Sequence, residues 1–291
     1  MKLGYLGRKP VTFGFEAARQ IQGAEFCGYG THGEVYDAVR SGEVELGVLA
    51  VENQLAGAVE ETLHAVVQPI VEGEPVAVGI VQELQVPVEL YLMNQSGNRD
   101  EIEVVMTHSI PMRQARKALE VLRKEHAVRL ETCASTDAAA AAASANPKVA
   151  AIASKLAPEP YGLKMIERVD DPVPGGRYQN VTRFWVIERT DGARFDPETV
   201  RKSREAHKIC LLFSLQRDEP GGLVTSLGVF STAGINLAGL HALPRRDRSW
   251  EYTFVVEFDV RAEKAEVVEA ALRILAEVSD AKLLGVYPKA K

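Results

Sequence analysis

An amide, a hydroxyl and a guanidinium stand close together at Asn180, Thr182 and Arg183. They lead into Phe184, Trp185, Val186 and Ile187, an apolar run that Glu188 to Gly192 closes with charge and a glycine. The run reads as a short buried strand. Upstream, residues 170–176 (Asp-Asp-Pro-Val-Pro-Gly-Gly) read as a flexible loop. A polar cluster carried from such a loop into a buried strand is a common way to build a site. Taken alone, the stretch reads better as a strand start with a hydrogen-bonded threonine and a solvated arginine. The rest of the chain changes that reading.

Other strand-like runs also deliver polar residues at their ends. Asn53 follows one, Thr107 a second, Ser135 and Thr136 a third, Ser154 and Lys155 a fourth. In open α/β sheets, ligands bind outside the carboxyl ends of the strands. A helix start such as Ser135-Thr136 presents free N–H groups and a partial positive charge, a ready site for a carboxylate. Singly these residues are N-caps, turn formers and solvated charges. Together they describe a cleft rich in hydroxyls and amides, with Lys155 and Arg183 as cations and few acids. Such a cleft suits a small polycarboxylate.

The elements that must position these residues follow an α/β pattern. Lys2 to Leu6 reads as a strand, Thr12 to Gln20 as a helix with Thr12 as N-cap, and Glu34 to Arg40 as a helix ended by Gly42. Leu46 to Val51 is an apolar strand, and Gly57 opens a helix to about Val67. Pro75 to Met93 is extended and carries the chain out of a first lobe. The strand Glu103 to Met106 precedes a helix from Pro111 to about Glu125, with Pro at its start. Val128 to Glu131 is a strand, Ala138 to Ala143 a helix stopped by Pro147, and Val149 to Ala153 a strand. After Gly162 the chain returns through the loop to the strand at Phe184. Strands apolar on both faces imply a largely parallel sheet.

The last third differs. Arg194 to His207 is a charged linker. The strands Lys208 to Leu215, Ile235 to Leu243, Trp250 to Asp259 and Lys282 to Tyr287 alternate with helices Gly221 to Ala233 and Glu263 to Val278. The order β-α-β-β-α-β is ferredoxin-like, and a domain this small gains from pairing with another copy.

Composition bounds the function. The chain has 291 residues, 46% hydrophobic and 25% charged, which fits two globular domains. A net charge of -6 without a basic block argues against nucleic acid as a partner. No apolar run approaches membrane-spanning length, and Met1 leads into a strand, not a signal peptide. Cys27, Cys133 and Cys210 are widely separated and far from any ligand-spaced histidine. They read as thiols in a reducing cytoplasm, without a disulfide or zinc site.

With these residues in order, the chain resembles the prephenate dehydratases, a catalytic domain followed by an ACT regulatory domain. Glu52-Asn53 with Gly57 and Thr62-Leu63 matches the family's Glu-Asn-Ser…Gly…Thr-Leu segment. Thr107-His108 with Gln114 matches its Ser/Thr-His-Pro-Gln…Gln segment, and Ser135-Thr136 its Ser-Thr-Ala-Ala helix start. Asn180-Val181-Thr182-Arg183-Phe184 matches Asn-x-Thr-Arg-Phe. Pro220-Gly221-Gly222-Leu223, Gly234-Ile235-Asn236-Leu237 and Trp250-Glu251-Tyr252 look like its ACT segments. Each match alone is weak; their order along the whole chain is specific.

The resemblance implies a bilobal, periplasmic-binding-protein-like type II catalytic domain over 1–190, with lobes at about 1–80 plus 161–190 and 81–160. A linker at 191–207 and a βαββαβ ACT domain at 208–288 follow. It implies a cytoplasmic lyase of phenylalanine biosynthesis that converts prephenate to phenylpyruvate without cofactor or metal. Thr182 would protonate the departing hydroxyl, and Arg183 would position a carboxylate or fix the Thr182 strand. Asn53, Thr107, Gln114, Ser135, Thr136 and Phe184 would bind substrate. His108 is either an acid or a packed side chain. Gly221, Gly222, Leu223, Asn236 and Leu237 would form an effector site, in a homodimer or homotetramer.

The chain departs from the family at Gln54 (usually Ser or Thr), at Ser109-Ile110 (Pro-Gln), and at Gly7 to Phe13, a loose Gly-Pro-x-Gly-Thr-Phe. His241-Ala242-Leu243-Pro244 replaces Glu-Ser-Arg-Pro, which implies weak response to phenylalanine. Arogenate as substrate, bare decarboxylation of prephenate, and a non-catalytic amino-acid sensor are the alternatives. Retention of Thr182 favours dehydration.

Overall fold

The structure is a computed structural model that describes residues 1–171, 180–202, 207–217 and 219–290. Strands β1 (Lys2–Leu6), β2 (Glu25–Tyr29), β3 (Leu46–Asn53), β4 (Gly57–Ala58) and β5 (Val78–Pro87) come first. Helices α1 (Phe13–Ala18), α2 (His32–Ser41) and α3 (Glu60–Val71) lie between them. The middle of the chain holds β6 (Tyr91–Asn94), β7 (Val104–Thr107), α4 (Ser109–Gln114), α5 (Arg116–His126) and β8 (Arg129–Thr132). It continues through α6 (Thr136–Ala145), β9 (Val149–Ala153), α7 (Pro158–Tyr161) and β10 (Lys164–Arg168). The chain then runs through β11 (Val181–Arg189) and α8 (Pro197–Lys202) into β12 (His207–Leu215), α9 (Gly222–Thr232) and β13 (Leu237–Pro244). It ends with β14 (Tyr252–Val260), α10 (Ala265–Val278) and β15 (Ser279–Pro288).

The first lobe's strands lie in the order β2-β1-β3-β11-β5, the second lobe's in the order β8-β7-β9-β6-β10. In both, three parallel strands are followed by a crossing strand that runs antiparallel to them. The lobes repeat one pattern, joined by two crossovers, as the type II expectation requires.

β11 is wedged between β3 and β5, and Phe184, Trp185, Val186 and Ile187 are each at most 1% exposed. Burying one such side chain stabilises by about 1.5–3 kcal/mol, so the core firmly anchors the strand whose second residue is Thr182. Phe184 and Val186 pack on Leu3, Tyr5 and Val48. Trp185 and Ile187 face the other way, onto α2, α3 and the C-terminal residues Cys210, Leu212 and Tyr287.

The C-terminal strands lie in the order β13-β14-β12-β15 with α9 and α10 as crossovers, the split βαβ topology. β15 runs beside β5, with Gly285 opposite Ile80, so this sheet continues that of the first lobe. A Cβ at position 285 would stand 2.2 Å from the Ile80 carbonyl oxygen; glycine is what lets the two sheets join.

Several expectations are corrected. β2 and β10 go unpredicted because both are edge strands with few buried residues, and weak alternation does not stand out. The lobe boundaries shift: β5 stays paired with β11 to Pro87, and β10 pairs with β6, so Lys164–Arg168 belongs to the second lobe. Gly57, at φ +85°, turns into β4 and opens no helix. The helix expected from Pro111 to Glu125 is two helices, broken at Ala115 (φ −109°, ψ 21°). Part of the expected linker is helical, because Asp196 accepts from the Glu198 and Thr199 N–H groups and Val200 is fully buried. Residues 172–176 of the expected loop and 203–206 of the linker lie outside the described residues.

Candidate active site

β3 and β11 pair antiparallel, with Asn53 opposite Thr182 and Glu52 opposite Arg183. Side chains alternate along strands, so the two pairs occupy opposite faces. The Asn53–Thr182 face meets the second lobe. Asn53 Oδ1 accepts from the Leu55 and Ala56 N–H groups at 3.1 and 2.9 Å, and from Gln114 Nε2 of α4 at 3.2 Å. These donors fix the orientation of the Asn53 amide. Its Nδ2 therefore donates, to Thr182 Oγ1 at 3.0 Å and to Asn180 Oδ1 at 2.8 Å. The Thr182 oxygen accepts here, and its own proton meets no acceptor among the described residues, so it can go to a ligand.

Asn180 stands two residues before Thr182 and shares its face. With its oxygen engaged by Asn53, its buried Nδ2 has no partner among the described residues. An unpaired buried amide is costly, and a ligand oxygen there would relieve it. The sequence places Asn180 in the polar cluster but not among the binding residues; its two-residue spacing from Thr182 is the signal that marks it.

Ser135 caps α6, its Oγ accepting from the Ala138 N–H at 3.0 Å, and Thr136 begins that helix, half-buried. Lys9, which nothing in the sequence singles out, sets its Nζ 3.9 Å from the Tyr161 ring centroid. The Tyr161 hydroxyl donates to Asp137 Oδ1 at 2.5 Å, in the first turn of α6. Burial and that carboxylate push the tyrosine well above its ordinary value. The loop after β1 thus brings a cation toward the α6 start. The same loop buries Val11 in the second lobe's core, and the Val11 carbonyl accepts from Ser154 Oγ at 2.6 Å. Ser154 holds the lobes together.

Other expected residues stand apart. Thr107 is fully buried, and its hydroxyl donates to the Ile152 carbonyl at 2.7 Å, tying β7 to β9. Phe184 is a core residue. His108 caps α4, its Nδ1 accepting from the Ile110 N–H at 3.4 Å, and its ring is half-buried. Lys155 is engaged by Glu16 and Glu89 at 3.3 and 3.2 Å.

Arg183, on the face away from Asn53, meets three carboxylates. Glu52 Oε2 accepts from its Nε and Nη2 at 3.1 and 2.9 Å, Glu83 Oε2 from Nη1 at 2.6 Å, and Glu257 Oε2 from Nη2 at 2.7 Å. Burial works against the charged guanidinium, but the bonds and charge of Glu257, then of Glu83 and Glu52, outweigh it and hold Arg183 protonated. Of its two expected roles, the geometry supports fixing the strand. Neither expected cation is therefore free for a substrate carboxylate. No group of His, Cys, Asp or Glu among the described residues is arranged to hold a metal.

In the C-terminal domain, Gly221 (φ +90°) precedes α9, which Gly222 begins. A cavity of about 220 Å³ there is lined by Gly221 and Leu223 together with Val224, Trp250 and Tyr252. Leu237, which begins β13, and Asn236 before it do not line it.

The prephenate dehydratase family profile matches residues 3–192. The chain is 32% identical over 294 residues to a bifunctional chorismate mutase/prephenate dehydratase of Aquifex aeolicus, covering 100% of this chain and 74% of that protein. Among solved structures it is similar to GqqA, described as a novel type of quorum quenching acylase (TM-score 0.82, 26% identity, 100% and 98% covered). It is also similar to the prephenate dehydratase of Arthrobacter aurescens in complex with L-Phe (TM-score 0.80, 25% identity, 100% and 90% covered). The motifs, the two-lobed fold and these likenesses agree, and the chain belongs to the prephenate dehydratase family.

Proposed function

We propose that the chain is a carbon–oxygen lyase that converts prephenate to phenylpyruvate in L-phenylalanine biosynthesis, in the cytoplasm. The observation that carries this reading is the Thr182 hydroxyl, which accepts from Asn53 and keeps its proton to give. The ring carboxylate of prephenate leaves as carbon dioxide. Its bonding electrons move through the ring and expel the ring hydroxyl, and the ring becomes aromatic. Thr182 gives the departing hydroxide a proton, so that water leaves, and regains one from solvent. One proton is consumed per turnover. Aromatisation drives the step, so a modest donor suffices and no cofactor is required. Asn180 Nδ2, Gln114, the α6 start at Ser135 and Thr136, and Lys9 would receive the substrate's oxygens. A site kept dry between the lobes would favour loss of a poorly solvated carboxylate.

The likeness to an acylase supports a different reading less well. Attack by Thr182 on an amide would need a base to take its proton, and its partner here is an amide that donates to it. The test of the proposal is incubation of the purified protein with prephenate and, in parallel, arogenate, following the aromatic product. No product from either sinks the reading. A non-aromatic keto acid would mean bare decarboxylation.

Residues 208–288 are read as an ACT regulatory domain. Its edge strand β13 is open, and Val224 and Trp250 beside the cavity are 72% and 87% exposed, so a second copy is the expected cover. Sedimentation should show a homodimer or a dimer of dimers; a monomer at micromolar concentration would count against it. Where relatives carry Glu-Ser-Arg-Pro, this chain has His241-Ala242-Leu243-Pro244, without the polar groups that would link an effector to the strand. An effector acts only through differential affinity for two states. Phenylalanine should therefore inhibit weakly or not at all. A steep inhibition curve centred at roughly tens of micromolar would overturn that.

A further inference from the structure

The face of β11 turned away from the cleft carries a buried ion network that the reaction does not use. Besides Arg183, Lys208 Nζ donates to Glu83 Oε2 at 2.5 Å. Trp185 Nε1 and the Tyr287 hydroxyl donate to Glu257 Oε1 at 3.3 and 2.9 Å. The side chains of Glu83 and Glu257 are each 1% exposed. Glu257 belongs to β14 of the C-terminal domain, whereas Arg183 and Glu52 are the residues next to Thr182 and Asn53.

Two details turn proximity into coupling. Arg183 Nη2 is shared, donating to Glu52 at 2.9 Å and to Glu257 at 2.7 Å. A shift of β14 must therefore drag the guanidinium or break a desolvated ion pair, and breaking such a pair is strongly unfavourable. In addition, the β3–β11 register shifts between Arg183 and Phe184. The extra residue is Val51 on β3, and such a bulge lets Glu52 and Asn53 beyond it tilt and re-aim their side chains, while Phe184 to Ile187 stay fixed in the core. The network also reaches toward β13. A Cβ at Gly239, the partner of Glu257 across β13 and β14, would lie 3.2 Å from Glu257 Oε2 and 3.9 Å from His241 Nε2.

We propose that Glu257 is a positioning residue for the lyase: by holding Arg183 against Glu52 behind the β3–β11 pair, the C-terminal domain sets the Asn53–Thr182 contact in front of it. This rests on the lyase reading above. The test joins steady-state kinetics with backbone hydrogen exchange of the full chain for Glu257→Gln and Tyr287→Phe. The first removes the charge that grips Arg183. The second removes one donor to the same carboxylate and leaves the grip intact. Glu257→Gln should lower kcat about tenfold with KM within about twofold, and should raise exchange in peptides covering Asn53 and Thr182. Tyr287→Phe should leave both at the wild-type level while lowering the melting temperature. Unchanged exchange around Asn53 and Thr182 in Glu257→Gln overturns the proposal, and so does the same rise in Tyr287→Phe. If Glu257→Gln fails to fold, Glu257→Asp, which keeps the charge but shortens its reach, carries the same comparison. A wild-type chain that makes no phenylpyruvate removes the lyase reading, and the exchange measurement still decides the positioning role.

Discussion

Thr182→Val lowers kcat about a hundredfold or more, with KM for prephenate little changed, as expected for loss of a proton donor that acts only in the transition state. Valine keeps the shape of threonine and removes only the hydroxyl. Asn53 Nδ2 loses one acceptor but keeps Asn180 Oδ1 at 2.8 Å, so the fold survives with a cost of about 1 kcal/mol. The loss is therefore chemical and should persist at temperatures where the variant is fully folded. Thr182→Ser retains the donor and recovers most of the rate. Steady-state kinetics of both variants decides the matter. Near-normal turnover in Thr182→Val would move the donor to His108, whose Nδ1 caps α4 and leaves Nε2 to donate, or to a bound water.

The orientation of the Asn53 amide is what makes this prediction sharp. A threonine hydroxyl can donate or accept. Here the backbone N–H groups of Leu55 and Ala56 claim the Asn53 oxygen, so its nitrogen must donate to Thr182. The direction of the whole chain of bonds is set by the turn after β3. Asn53→Asp reverses the arrangement at one point, placing an acceptor where the nitrogen was.

Such directions were not legible in the sequence, although much else was. The strand at Phe184 stood out because four bulky apolar residues in a row are hard to place anywhere but a core. Ser135 and Thr12 stood out as caps because their side chains compete well for free N–H groups at a helix start. Both cap as expected, to Ala138 and Phe15. Thr107 looked like Thr182: each is a threonine at the end of a buried strand. Only the neighbouring strand decides between them, since β9 offers the Ile152 carbonyl to Thr107 and no such acceptor meets Thr182 among the described residues. Lys155 and Arg183 read as free cations in the sequence because their carboxylate partners are distant along it; Glu257 lies far along the chain from Arg183. Period-two alternation does carry one usable hint. If Thr182 faces the cleft, then Asn180 does too and Arg183 does not.

Arg183→Leu should cost about 3–5 kcal/mol at neutral pH, because removing one member of a buried ion pair leaves the others charged and unpaired. Lys208 still neutralises Glu83, so the exposed weakness is Glu257. In the wild-type chain, burial pushes the Glu257 carboxyl up, and the bonds and charge of Arg183, with Lys208 and Tyr287, hold it below its ordinary value nonetheless. A folded value below the unfolded one gives stability that is complete above about pH 4.3 and is lost as pH falls through the folded value. In the variant the bonds and charge of Arg183 are gone, and burial should outweigh Lys208 and Tyr287 and move the folded value above the unfolded one. The sign then reverses: stability is greatest below about pH 4.3 and is lost as pH rises through the folded value. The groups around Glu257 are Arg183 on β11, Lys208 and Cys210 on β12, His241 on β13, Tyr287 on β15 and Glu83 on β5. All but Arg183 are common to both proteins, so the difference between variant and wild type isolates the lost guanidinium. Denaturant unfolding at about pH 5 and about pH 7.5 should show a clearly smaller deficit at the lower pH, where the stranded carboxylate takes up a proton. An equal deficit at both values would mean that Glu257 keeps its charge without Arg183, with Lys208 and Tyr287 sufficient to hold it. Arg183 would then be a packing residue for β11, not its electrostatic anchor.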